Sequence, residues 1–345
     1  MHMLSLAIST IQSINYGNRL QNYALQSVLT SLGYRVESLK KEKSSILAFA
    51  RRSARKFLKD DSVTRFREFD EECIQFSDCV ASADYVTPDL ANRYDKFVIG
   101  SDQVWNPNFP FLGPVDYLPF VDPAKKVAYA ASFGVASLGD KEAEISGYLA
   151  GIPYISMRES AGAEIASRLT GKHVSVVLDP TMLLTADDWF AVAKRPEGID
   201  DGSSFVFKYV LGTDVNDETI KRIALDYEAT VVDIRDPSLK IGPSEFVWLV
   251  QHSTAVCTDS FHASVFALLY HKPLGIFERV DDEADMSSRF DTLCDLFDAG
   301  RCRAGHDDFD MLCMDWDVFE DRLAELRAFS LDWLRSALRG GGSCA

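Results

Sequence analysis

No apolar run in the 345 residues approaches the roughly 18 needed to cross a bilayer, so a membrane-spanning helix is not expected. The opening Met1-His2-Met3-Leu4-Ser5-Leu6-Ala7-Ile8-Ser9 is apolar but short, lacks a basic leader and reads as a first strand. Positive charge is also scarce. Lys plus Arg number 36 against 52 Asp plus Glu, a net charge of −16, which argues against phosphate-driven nucleic-acid binding because counterion release needs a basic face. The seven cysteines (Cys73, Cys79, Cys257, Cys294, Cys302, Cys313, Cys344) form no C-x-x-C pair and suit neither a metal clip nor a disulfide framework. Reduced thiols and a soluble, cytoplasmic chain are expected. The chain has no G-x-G-x-x-G, Walker A, H-E-x-x-H or G-x-S-x-G signature, so dinucleotide redox, P-loop phosphoryl transfer, zinc proteolysis and esterase chemistry lose their usual support. No histidines and acids show metal spacing, and no metal or cofactor is expected.

Short apolar runs alternating with helical patterns fill most of the rest. Strands are predicted at Leu4–Ile8, Tyr34–Leu39, Lys96–Ile99, Val127–Ala131, Tyr154–Met157 and Val174–Leu178. After Asp179-Pro180 a second series runs through Phe205–Leu211, Ala229–Ile234, Ala255–Thr258 and Pro273–Phe277. Helices are predicted over Arg19–Leu32, stopped by Gly33, and over Asp217–Tyr227, Phe261–His271, Ser287–Phe297 and Trp316–Leu338. Such alternation implies right-handed βαβ units and parallel sheets. The expected class is α/β, with two Rossmann-like domains facing across a cleft and a boundary near Leu184. The last helix either ends the second domain or packs back. Lys40–Arg67 departs from the global charge, with ten basic and three acidic residues. Its stripe Ile46, Leu47, Ala50, Ala54, Phe57 and Leu58, flanked by Arg51, Arg52, Arg55, Lys56 and Lys59, suits an anionic membrane or glycan. A solvated helix packed on its domain is the plainer reading.

Polar clusters follow several predicted strands, where open α/β sheets bind ligands. Asn15-Tyr16-Gly17-Asn18-Arg19 places a glycine and free amides at a helix start, a setting for an anion or simply a turn capped by Asn18. Ser101-Asp102-Gln103-Val104-Trp105 sets hydrogen-bonding groups beside an indole, suited to a sugar, or else Trp105 anchors the loop in the core. Ser132 and Gly134 repeat the pattern after the next strand. Arg158 at a strand end suits bidentate capture of phosphate or carboxylate, with a surface pair to Glu159 as the structural alternative. His262 falls in the first turn of a helix, where the dipole favours anions, and Asp259 or Ser260 is placed to orient it.

Taken together these clusters resemble the polysaccharide pyruvyl transferase family over nearly the whole chain. The match is carried by Asn15-Tyr16-Gly17 with Leu20-Gln21-Asn22-Tyr23-Ala24-Leu25-Gln26, Gly100-Ser101-Asp102-Gln103-Val104-Trp105-Asn106, and Tyr129-Ala130-Ala131-Ser132-Phe133-Gly134. It continues through Ser156-Met157-Arg158-Glu159, Val177-Leu178-Asp179-Pro180-Thr181 and Thr258-Asp259-Ser260-Phe261-His262. The resemblance implies an arrangement similar to GT-B glycosyltransferases, with 1–184 on the acceptor side and 185–345 on the donor side. It also implies transfer of pyruvate from phosphoenolpyruvate to a saccharide acceptor, free or lipid-linked, giving a ketal and phosphate. Membrane contact through 46–59 would put that chemistry at the inner face. The donor's two anionic groups call for Arg158, Lys272 and Arg289. His262 is expected as general acid or phosphate ligand, and Asp102 with Gln103 as acceptor contacts. Many members carry Arg-Leu-His where this chain has Ser260-Phe261-His262, so the arginine of that spot is absent and Arg289 or Lys272 is expected to compensate. The competing expectations are a GT-B-like glycosyltransferase using a nucleotide sugar and a non-catalytic glycan-binding relative.

Overall fold

The computed structural model describes residues 3–41, 61–83, 85–212, 216–236, 238–279 and 287–340. The basic stripe at 46–59 lies outside them. Two compact units emerge: one from residues 1–60, 70–183 and 325–345, the other from 61–69 and 184–324. The chain passes from the first unit to the second at Leu183–Leu184, most of the last helix returns to the first, and residues 61–69 depart from the expected division by joining the second.

The first unit contains β1 (Ser5–Ser9), α1 (Tyr16–Ser31), β2 (Arg35–Lys40), the end of α2 (Asp61–Cys73), β3 (Phe76–Val80) and the one-turn α3 (Leu90–Arg93). It continues with β4 (Lys96–Ile99), β5 (Lys126–Ala131), α4 (Glu142–Leu149), β6 (Tyr154–Met157), α5 (Ser160–Thr170) and β7 (Ser175–Val176). Its seven strands are ordered β3-β2-β1-β4-β5-β6-β7 and pair in parallel throughout. The second unit has α6 (Ala186–Phe190), β8 (Phe205–Tyr209), α7 (Asp217–Asp226), β9 (Thr230–Asp233), α8 (Pro243–His252), β10 (Ala255–Thr258), α9 (Phe261–Leu269), β11 (Leu274–Ile276), α10 (Ser287–Phe297) and the start of α11 (Trp316–Arg339), whose larger part from Glu325 onward belongs to the first unit. Four parallel strands run β11-β10-β8-β9.

Both sheets are thus of the doubly wound kind, as the alternation predicts. Chain order reverses between β1 and β4 in the first sheet and between β8 and β10 in the second. At such a point neighbouring connections leave to opposite faces and open a crevice at the carboxyl ends of the strands. Strands β1, β5 and β8 are buried along their full length, the pattern expected when helices cover both faces.

Among the elements that the sequence pattern does not single out, β3 and α8 have clear physical reasons. Strand β3 lies at a sheet edge and alternates buried Ser77 and Cys79 with more exposed neighbours, so it shows no apolar run. Helix α8 buries every residue from Pro243 to Val250, and its unbroken apolar run Phe246–Val250 lacks the 3.6-residue stripe that identifies a half-exposed helix.

Helix α1 shows how the ends are set. Asn15, not Asn18, is the N-cap: its side chain accepts from the Asn18 amide at 3.2 Å. At the far end Gly33 takes a φ of +90°, a left-handed turn that halts the helix without Cβ strain. Inside, Leu20, Ala24, Leu25, Val28 and Leu29 pack into the core. Buried amides tie the helix to its surroundings: Gln21 Nε2 donates to Thr10 Oγ1 at 2.8 Å and its Oε1 accepts from the Ser101 amide at 3.1 Å. Gln26 clips both backbone groups of Gln75, at 2.9 and 2.8 Å. Among the described residues no helix is long and apolar enough to cross a membrane.

One ion pair on α1 is pH-sensitive. Arg19 Nε lies 2.8 Å from Asp70 Oδ1, yet burial outweighs the attraction of Arg19 and pushes the Asp70 carboxyl up to about 6. An acid whose pKa is raised on folding binds its proton more tightly in the native state. Its contribution is present below the unfolded value near 3.8 and is lost as pH rises through about 6. Thermal melts of wild type and Asp70→Asn across this range should show the wild type losing stability relative to the variant, with no further divergence above pH 7. A difference independent of pH would refute this assignment.

Candidate functional site

At the switch point of the first sheet, β4 ends in Gly100 and the chain turns sharply. Gly100 has a φ of +113°, and a Cβ there would lie 2.4 Å from the Tyr129 carbonyl oxygen. Only glycine fits. Ser101 follows, fully buried, its Oγ 2.9 Å from the Ala130 carbonyl oxygen and 3.2 Å from Asp179 Oδ2, two acceptors that share its one proton. Asp102 adopts a φ of +70°, a conformation aspartate tolerates better than most residues.

Arg158, just past β6, organises the carboxylates. Its side chain is 1% exposed, and it donates from Nη2 to Asp102 Oδ1 at 2.6 Å and from Nη1 to Asp179 Oδ2 at 2.9 Å. Its Nε lies 3.8 Å from Glu159 Oε2. Burial alone would lower the guanidinium pKa, but attraction from Asp102, Asp179 and Glu159 outweighs it and the net shift is upward. Each carboxylate is braced in turn. Asp102 Oδ1 accepts from the Gln103 amide at 2.9 Å and its Oδ2 accepts from Asn18 Nδ2. Asp179 Oδ1 accepts from the amide and hydroxyl of Thr181 at 3.0 and 2.8 Å. Glu159 Oε1 accepts from the Phe133 amide at 3.2 Å. The alternative of a surface pair with Glu159 is replaced by a buried cluster, and in this conformation Arg158 holds protein carboxylates and fixes the position of Asp102.

The neighbouring candidates divide. Gln103 Oε1 accepts from Asn106 Nδ2 at 2.6 Å, and a Cβ at Gly134 would fall 2.0 Å from that same oxygen, so Gly134 makes room for the pair. Ser132 is buried after β5, and its hydroxyl has no hydrogen-bond partner among the described residues; Ser9 at the end of β1 is alike. Trp105 is a core anchor, 2% exposed and stacked on Tyr117 at 5.2 Å and 6°, rather than an open platform for a sugar. Asn15 caps α1 and Gly17 is buried in its first turn.

The switch point of the second sheet carries the other group. Asp259, 3% exposed after β10, accepts from the Leu211 and Gly212 amides at 2.8 Å each and so pins the loop leaving β8. It also accepts from Arg279 Nε at 3.2 Å, while Arg279 Nη2 lies 3.4 Å from the Asp259 carbonyl oxygen. Ser260 is the backbone N-cap of α9, though its side chain makes no capping bond. His262 is the second residue of that helix, 7% exposed, with its ring edge-on to Phe261 at 5.4 Å and 86°. The guanidinium carbon of Arg289 sits 5.9 Å over the Phe261 ring.

Lys272 is elsewhere. It follows α9 and precedes β11, at the amino end of the strands, so the nine-residue helix separates it from His262 by about 13 Å. It therefore cannot stand in for the arginine missing at position 260, and Arg279 is the cation that sequence reasoning overlooked. The strand-end rule that singled out Arg158 would have found it, since Arg279 lies three residues beyond β11. In the sequence Asn18 reads only as a helix cap, and Asp179 only as part of a motif that precedes the second series of strands. Among the described residues no cluster suits a metal ion.

A sequence model of the polysaccharide pyruvyl transferase family matches residues 15–279, an interval spanning both switch points and ending at Arg279. No curated protein matches the chain in sequence. Among solved structures it is similar to an alpha-glucosyltransferase in complex with UDP and DNA, at 10% identity and a TM-score of 0.51, covering 98% of this chain and 100% of that one. It is also similar to UDP-GlcNAc 2-epimerase from Methanocaldococcus jannaschii, at 12% identity and a TM-score of 0.48, covering 94% of this chain and 92% of that one. Identities this low speak to the fold alone, and that fold is the two-unit α/β architecture of GT-B glycosyltransferases.

Replacing Arg158 by Met leaves Asp102, Asp179 and Glu159 buried around an apolar side chain. The expected loss is about 3–5 kcal/mol of unfolding free energy, read by urea titration. A variant as stable as wild type would show that the cluster does not depend on the guanidinium.

Proposed function

The chain belongs to the polysaccharide pyruvyl transferase family, and on that premise we propose that it transfers pyruvate from phosphoenolpyruvate to a sugar of a surface polysaccharide or its precursor. The observation that carries this reading is the surroundings of the α9 N-terminus, where His262, Arg279 and Arg289 are held beside or within one residue of a strand-to-helix turn. Phosphoenolpyruvate carries a phosphate and a carboxylate. A helix N-terminus offers amides and a favourable dipole to one anionic group, and a guanidinium offers a planar fork to the other. Arg279 takes the role that Arg-Leu-His members give to the arginine two residues before the histidine, supplied here from the end of the neighbouring strand.

In the proposed reaction a proton is added to the enol methylene carbon, leaving C2 electron-poor. A sugar hydroxyl attacks C2 and loses its proton, the C2–phosphate bond breaks to release inorganic phosphate, and a second hydroxyl closes the ketal. His262, near the donor, serves as the acid or as a phosphate ligand whose positive form offsets the leaving charge. In the first unit Asp102 is the acceptor contact and candidate base, with its orientation set by Arg158 and Asn18. Arg158 is thereby reassigned from donor binding to positioning. Gln103 and the Ser132 hydroxyl are the further acceptor contacts, whereas Trp105 supports their loop from within the core.

Calorimetry with phosphoenolpyruvate and with a panel of nucleotide sugars tests this without knowledge of the acceptor. Phosphoenolpyruvate should bind wild type and Lys272→Ala alike, and Arg279→Ala about 10–100-fold more weakly. Binding of a nucleotide sugar with none of phosphoenolpyruvate would replace this reading with glycosyl transfer.

A further inference from the structure

The cysteines look unrelated in sequence, but folding brings two of them together: Cys302 and Cys313 lie Sγ to Sγ at 3.1 Å. We propose that they form a redox-active dithiol, a modification site that closes to an intramolecular disulfide and fastens the strip of chain covering the edge of the second sheet.

Strand β11 is the edge of that sheet, and an edge strand presents unpaired amides and carbonyls. Residues 300–313 cover it. Arg303 bridges Ile276 in parallel, the Ala304 amide donates to the Ile276 carbonyl at 2.7 Å, and the Leu274 amide donates to the Met311 carbonyl at 3.1 Å. The strip is held to itself and to α10 by ion pairs, Arg301 to Asp310 at 3.0 Å and Arg303 to Asp291 at 2.5 Å. Cys302 and Cys313 stand at its two ends, so a bond between them closes the strip into a loop against β11.

The two thiols differ in access. Cys302 is fully buried and Cys313 half-buried, so a small oxidant meets Cys313 first. Burial and the neighbouring Cys313 sulfur push the Cys302 thiol up, which keeps it protonated until it acts as the resolving group. With hydrogen peroxide as oxidant, the Cys313 thiolate attacks one peroxide oxygen, the O–O bond breaks and hydroxide leaves, protonated to water. The Cys313 sulfenic acid is then attacked by the Cys302 sulfur, the S–O bond breaks and a second water departs with the Cys302 proton. Two thiols lose two electrons, and one peroxide becomes two waters. A pair already near contact needs an approach of about 1 Å to reach bonding distance.

The test is stepwise treatment of the full chain with hydrogen peroxide, followed by intact mass, alkylation of remaining thiols and peptide mapping. The expected result is a loss of about 2 Da, a cross-linked peptide pair containing Cys302 and Cys313, and an apparent Tm raised by about 5 °C that dithiothreitol reverses. Cys294→Ser should behave as wild type, and Cys313→Ser should lose both the mass change and the Tm shift. The proposal is overturned if both cysteines stay open to alkylation while others oxidise, if Cys313 pairs with Cys294, or if Cys313 proceeds to sulfinic acid without a cross-link. Because the wild-type peptide map decides among these outcomes, a serine variant that fails to fold leaves the result intact.

Discussion

One guanidinium organises the first unit. Arg158 comes from the end of β6, and the carboxylates it holds come from the loop after β4, from its own neighbour and from the turn after β7. Parallel strands cannot be joined by tight hairpins, so the loops at their carboxyl ends are far apart in sequence and need tertiary contacts to fix them. A buried multi-carboxylate cluster is a costly way to do so, since each ion gives up its hydration. Apolar packing would fix the loops as well. What it would not do is leave a carboxylate, Asp102, poised at a switch point with its orientation set from two sides, by Arg158 and by Asn18 at the start of α1. The cluster makes physical sense when the position of Asp102 matters for more than stability.

The second unit solves the same problem with the charges reversed in role. There a carboxylate is the hub: Asp259 gathers two backbone amides of the β8 loop and the side chain of Arg279. In the first unit both the cation and Asp102 are sealed, at 1% and 5% side-chain exposure; in the second the acid is sealed at 1% and the cation keeps 25%. The partly exposed guanidinium of the second unit is the contact that the proposed anionic donor would need. An overall charge of −16 is compatible with the proposed anion binding, because the local field at a helix N-terminus beside guanidinium groups is set by close neighbours.

Most strands were legible in the sequence because parallel strands buried on both faces are near-continuous apolar runs. Lys96–Ile99, Tyr154–Met157 and Ala255–Thr258 are found where the pattern puts them. The edge strand β3 and the all-buried α8 carry no such pattern. The candidate site residues were legible to the extent that they lie just past a strand: Arg158 and Asp259 follow one directly, Asp102 lies three residues beyond β4, and His262 sits in the first turn of the helix after β10. What the sequence could not show is the direction in which a side chain is engaged. Arg158 and Arg279 have the same local context, a cation just past a strand, yet one is enclosed by acids and the other is half open. Trp105 likewise has the neighbours of a sugar platform and the environment of a core residue.

Lys272 shows the rule's physical limit. Its cationic side chain is ten residues from His262, a short distance in sequence, and it falls within the same family motif region. But a helix that begins at the carboxyl edge of a parallel sheet must return the chain to the amino edge before the next strand can start. Any residue in the turn after α9 is therefore carried to the wrong side of the sheet, whatever its chemistry. Arg279, seventeen residues from His262, has crossed the sheet once more along β11 and is back at the carboxyl edge. In a doubly wound fold the count of crossings, not the count of residues, decides which charges can act together. The same count predicts that a lost motif arginine is most readily replaced from the end of an adjacent strand, which is where this chain has one.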